Sequence, residues 1–130
     1  SAVAYAHKGP GVDQVSGSCS LRLGCGLNLT AAAGGQDTDG DASQLSFYVK
    51  AGWRMEWFPC GETMLAADYS RNEEIGRPGD LAESHGLMLN QQVEAVSSEL
   101  YATVRRYDLD RPGEEYDDLV IFMSGIRLAF

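Results

Sequence analysis

The stretch FYVKAGWRMEWF, residues 47–58, changes character at almost every position. Phe47, Val49, Ala51, Trp53, Met55 and Trp57 fall in one phase, and Tyr48, Lys50, Gly52, Arg54 and Glu56 in the other. A helix with 3.6 residues per turn would scatter these two sets around its circumference, whereas a strand of period two separates them cleanly. Outward from this stretch the same period recurs. Leu27, Leu29, Ala31 and Ala33 share a phase, as do Leu65, Ala67 and Tyr69, then Leu87, Leu89 and Val93, then Leu100, Ala102 and Val104. In the last segment Val120, Phe122, Ile126 and Leu128 alternate with Ile121, Met123 and Arg127. Weaker alternation marks residues 15–23, with Arg22 and three serines on the polar side, and residues 2–7.

Eight candidate strands follow, with no helical segment and no linker, so residues 1–130 read as one all-β unit. The connections 24–26, 59–62 and 95–98 read as tight turns. The intervening connections 8–14, 34–46, 71–84 and 108–118 are longer, polar and rich in Gly, Pro and acids. Short turns at one end and long loops at the other are the pattern of an antiparallel up-and-down transmembrane barrel. Composition agrees. The chain is 44% hydrophobic and 22% charged, as an ordered protein is. Ten Lys+Arg against 19 Asp+Glu leave a net charge of -9, which argues against binding nucleic acid. No apolar run approaches the roughly 20 residues of a membrane helix, but membrane strands need only about 9–11 residues with alternate positions apolar. No charged leader opens the chain, which fits a mature form or a fragment. Three cysteines, Cys19, Cys25 and Cys60, do not suit a metal cage. Free thiols and a single Cys25–Cys60 bridge both remain open at this point.

Alternation alone does not say which face meets the core. In a soluble barrel the apolar face points inward, and in a membrane barrel it points to lipid. Charges of both signs in mid-strand (Arg54, Glu56, Asp68, Glu94 and Arg105) suit the wall of a watery lumen. Aromatic residues near strand ends (Trp53, Trp57, Phe58, Tyr69, Tyr107 and Phe130) suit interfacial girdles.

The closing segment LVIFMSGIRLAF resembles the carboxy-terminal strand of Gram-negative outer-membrane porins, with Phe122, Ile126, Leu128 and Phe130 at alternate positions. CGLNLTAAAGGQD, FYVKAGWRMEWFPCGETMLAADYSRN and SSELYATVRRYDLDRP resemble further porin strands and hairpins, so the likeness covers about residues 15–130. It implies a general diffusion channel that passes small hydrophilic solutes and ions through the bacterial outer membrane as a homotrimer. Contacts with lipid and lipopolysaccharide are part of that implication. It also implies that the final strand, with Phe130, is the signal read by the barrel-assembly machinery. Porin barrels of this kind have sixteen strands, so the length fits their carboxy-terminal half. The alternative is a complete eight-stranded outer-membrane barrel with a packed interior and a structural or adhesive role. With Phe130 at the periplasmic rim, the tight turns are periplasmic and the long loops extracellular.

In that frame the expected pore wall is Arg22, Lys50, Arg54, Arg105 and Arg127 against Glu56, Asp68 and Glu94, a row of bases facing a row of acids that sets up a transverse field. The plainer reading is solvated wall residues or wet inter-strand pairs, each worth under about 1 kcal/mol. No catalytic motif, cofactor or enzymatic activity is expected: there is no G-x-S-x-G, P-loop or G-x-G-x-x-G, and His7 and His85 lack a nucleophile partner. Asp37-Thr38-Asp39-Gly40-Asp41 has Ala42 and Tyr48 where an EF-hand loop needs Gly and Glu, so it reads as a solvated loop with no dedicated metal site.

Overall fold

A computed structural model describes residues 2–7, 12–38, 43–74 and 79–128. They form one eight-stranded antiparallel sheet in strict chain order: β1 (Ala2–His7), β2 (Val12–Arg22), β3 (Leu27–Thr38), β4 (Gln44–Phe58), β5 (Gly61–Glu73), β6 (Leu81–Val93), β7 (Ser98–Asp110) and β8 (Leu119–Leu128). The helical element among the described residues is a single 3-10 turn, Glu94–Val96, between β6 and β7. Each strand pairs only with its sequence neighbours, and no pairing joins β1 to β8 among the described residues. Among the described residues the sheet is therefore an open, up-and-down antiparallel meander.

Backbone pairing carries the strands further than their side chains do. Residues 34–46 look like one Gly-rich loop, yet β3 runs on to Thr38 and β4 starts at Gln44, with Gly34 opposite Ser46. Likewise β5 reaches Glu73 and β7 reaches Asp110. Polar and glycine residues give no alternation signal, but the hydrogen-bond ladder does not need one. The contrast between short turns and long loops is correspondingly milder than the sequence implies. Strand β4 is regular up to Met55, and its register shifts between Met55 and Phe58 before the Pro59–Cys60 turn.

The register fixes two faces. One carries Leu21, Leu29, Ala51, Ala67, Leu87, Val104 and Phe122 in a single cross-strand row. The next row carries Leu27, Trp53, Leu65, Leu89 and Ala102. A soluble sheet buries such a face under a second layer. Here it is bare: Leu87 is 61% exposed, Phe122 69% and Ile126 66%, and among the described residues Ala66 is the one buried apolar side chain. The molecule exposes 9085 Å², against roughly 6,700 Å² for a compact monomer of 14.1 kDa.

Candidate functional site: the polar face of the sheet

The opposite face is polar, and its centre is an ion pair laid across three strands. The register aligns Lys50 of β4, Asp68 of β5, Gly86 of β6 and Arg105 of β7. Asp68 and Arg105 are separated by a whole strand and meet because the residue between them is glycine. A Cβ on Gly86 would stand 2.8 Å from both Arg105 Nη2 and Asp68 Oδ2. With none there, Arg105 Nη2 lies 2.7 Å from Asp68 Oδ1 and donates a 2.7 Å hydrogen bond to Oδ2. Arg105 Nη1 donates to Ser84 Oγ at 3.1 Å, and Ser84 is hydrogen-bonded to Ser70 at 2.8 Å. The Asp68 side chain is only 5% exposed, so the carboxylate is withdrawn from water, whereas the Arg105 side chain is 31% exposed. The same device recurs in β8, where the Tyr101 ring lies over Gly125 in space that an added Cβ would occupy.

Of the eight residues expected on a charged wall, six stand on this face in the ladder: Arg22, Lys50, Arg54, Asp68, Arg105 and Arg127. Glu56 is exposed in the irregular end of β4, where no ladder fixes its direction. Glu94 is not in a strand at all. It lies in the 3-10 turn, its backbone N–H bonded to Cys60 O at 2.9 Å, because the alternation of β6 ends at Val93. Tyr107, expected in an aromatic girdle, also stands on the polar face, paired with Ser84 and Leu119.

Acids and bases are not sorted into opposing rows. They are paired locally. Arg54 faces Glu62 at 3.6 Å, Arg127 faces Glu99 at 3.2 Å, and Glu99 also accepts from Asn90. Glu62 and Glu99 are absent from the sequence-based wall, although each is in phase with a residue that is on it, Asp68 and Arg105 respectively. Their pairing follows from short cross-strand distances, since opposite charges on adjacent strands lower each other's energy more than distant ones. Arg22 and Lys50 make no ion pair with another described residue.

At the loop end a second ion pair joins two connections. Arg111 donates from Nε to Asp80 Oδ1 and from Nη2 to Asp80 Oδ2, both at 2.9 Å. The Asp80 side chain is 1% exposed. Arg111 lies 5.7 Å from the centre of the Tyr116 ring and donates to its hydroxyl. Hydrogen bonding to Asp80 raises the Arg111 pKa further, so this cation stays charged throughout the accessible pH range. Residues 77–79 and 111–113 read as turns in the sequence, and nothing in it links Asp80 to Arg111. Nearby, the Asp118 carboxyl is held below the usual carboxylate range, first by its hydrogen bond with Asp108 and then by Arg106.

On the closing strand Phe122, Ile126 and Leu128 all project from the bare apolar face, and Phe130 lies outside the described residues. His85 packs against Tyr69 on that face with ring centres 5.0 Å apart, and His7 sits in β1. Cys19, Cys25 and Cys60 carry free thiols. Asp37 accepts a hydrogen bond from Ser43 Oγ, whereas residues 39–42 of the acidic loop lie outside the described residues. Among the described residues no cluster of His, Cys, Asp and Glu is suited to a metal ion. Comparison with protein-family models, characterised proteins and solved structures finds no match.

Proposed function

We propose that this chain forms the wall of a transmembrane β-barrel of the outer-membrane porin type, a passive channel for small hydrophilic solutes and ions. The observation that carries this reading is the uninterrupted apolar face, bare from Leu21 in β2 to Phe122 in β8, backed by a face of charges, amides and hydroxyls. A sheet with no second layer is stable where lipid supplies the apolar contact and water meets the other face.

The outline of the apolar face supports the same reading. Its loop-side limit is Leu45 in β4, Tyr69 in β5, Leu87 in β6 and Val104 in β7, with Glu73, Arg71, Glu83 and Arg106 beyond it. That limit drops two rows from β4 to β5 and one from β5 to β6, and it is level from β6 to β7, where Leu87 and Val104 share a row. Strands 4.8 Å apart and tilted about 45° to a membrane are staggered by roughly 1.5 residues each, so a level lipid boundary crosses the rows obliquely. Strands β2–β8 are 10–15 residues long, sufficient for the span. The turns after β2, β4 and β6 then lie at the periplasmic side, with the Asp80–Arg111 pair outside the cell. The free edges of β1 and β8 are closed in this reading by further strands of a larger barrel, because unpaired backbone does not persist in lipid. Assembly into trimers and contact with lipopolysaccharide belong to the same proposal.

The test is reconstitution. The full-length gene product is refolded in detergent and added to planar bilayers, and stepwise conductance is expected. A monomer that stays soluble without detergent refutes the membrane assignment. Stable insertion with no conductance refutes the channel and leaves the packed-interior barrel.

A further inference from the structure

The polar face is divided. Among the described residues its ion pairs lie on the turn side or toward β7 and β8, whereas the polar face on the loop side of β2–β5 carries no formally charged ladder residue. There Gln14, Gln36 and Gln44 form one cross-strand row. Ser16, Ser46 and Asn72 lie in the next, with Gly34 between the serines, and Tyr48 follows one row below. Glycine and alanine at positions 34 and 32 leave a depression of about 490 Å³ among these side chains. That is the volume range of small-molecule sites. The three glutamines, Ser16, Ser46 and Asn72 make no side-chain hydrogen bond to another described residue. A set of donors and acceptors is thus gathered in one concavity and left unspent.

We infer that this depression binds a neutral, hydroxyl-rich solute, a saccharide of one or two rings, on the lumenal wall; the inference rests on that face being lumenal. Each carboxamide offers both donors and acceptors, as each sugar hydroxyl does, so the hydration of both surfaces is exchanged for matched hydrogen bonds. The Tyr48 ring supplies a flat apolar surface for the C–H side of a pyranose. A phosphate or carboxylate finds no cation in these rows to form a charge-assisted bond. An apolar solute would strip water from the amides without replacing it. The nearest charged row is the next one, Lys50, Asp68 and Arg105. The arrangement therefore selects a neutral polyol before the charged zone is reached.

Maltose titrated by calorimetry against the protein in a sugar-free detergent tests this. Saturable binding is expected, weakened about tenfold by Tyr48→Ala and separately by the triple variant Gln14→Ala/Gln36→Ala/Gln44→Ala. Leu87→Ala on the opposite face should leave it unchanged, and glucose 6-phosphate should not compete. The triple variant adds no bulk, so it serves where Tyr48→Ala does not refold. Absence of saturation, or affinities unchanged in the refolded variants, overturns the site, as does tighter binding of the sugar phosphate. Conductance is recorded on the same samples. Conductance without maltose binding sinks the site and leaves the channel, whereas saturable binding without conductance sinks the channel and leaves the site.

Discussion

At the scale of single residues, Gly86 decides more than any charged residue beside it. Asp68 and Arg105 sit on strands that do not touch, and only a missing Cβ lets them meet. Gly86→Val is expected to force the two side chains apart and to lower the urea midpoint of unfolding from detergent. Because Asp68 is almost fully shielded, removing Arg105 strands its carboxylate, whereas Arg105, 31% exposed, still meets water when Asp68 is removed. Arg105→Met alone should cost about 2 kcal/mol and Asp68→Asn less, and the double variant less than the sum of the two. A double-mutant cycle in urea reads this, and strict additivity would show that the pair contributes nothing. The exposed pair Arg127–Glu99, with Arg127 72% exposed, should contribute under about 1 kcal/mol in the same assay.

At the scale of elements, β8 has two faces with opposite demands. Phe122 projects from the bare apolar face, and Thr103 on the adjacent strand projects from the polar one beside Met123. In a membrane strand, a basic residue on the lipid face costs roughly 2–4 kcal/mol at mid-depth, whereas the lumenal face tolerates it. Phe122→Arg is therefore expected to abolish or strongly weaken folding into lipid vesicles, and Thr103→Arg to leave it nearly unchanged, with heat-modifiable migration on gels as the readout. Equal behaviour of the two variants would contradict the assignment of faces. At the loop end, the Asp80–Arg111 pair ties the β5–β6 connection to the β7–β8 connection. Arg111→Ala should leave the sheet intact and speed protease cleavage between 74 and 80.

At the scale of the whole molecule, the -9 charge is concentrated in part where β7 and β8 approach their loop, with Asp108, Asp110, Glu114, Glu115 and Asp117 around one open depression of about 620 Å³. Asp118 beside it has a lowered pKa, so its folded form favours the carboxylate. Its contribution to stability is present above the carboxyl's ordinary pKa and is lost as pH falls through the lowered one. Protease sensitivity of the β7–β8 connection should accordingly rise on acidification below the ordinary carboxylate range, and no rise should follow in Asp118→Asn. The apolar face sets the solvent the protein requires. Without detergent the sheet is expected to associate through it, a behaviour seen directly by light scattering.

The strands and their faces were legible in the amino-acid sequence, because a period of two in side-chain polarity maps one-to-one onto the two sides of a pleated sheet. It placed Arg22, Lys50, Arg54, Asp68, Arg105 and Arg127 on a common face for the same reason. It misplaced Glu94, where alternation ran one residue past the end of the ladder, and it cut the strands short where glycines and polar residues carried no signal. Which charges meet depends on the folded sheet. The contacts Asp68–Arg105 and Asp80–Arg111 join residues far apart in the chain, brought together by register and, for the first, by the bare backbone of Gly86 between them. The structure also shows that among the described residues no second layer covers the apolar face: periodicity assigns side chains to sides of a sheet, but what lies against a side depends on where the rest of the chain goes.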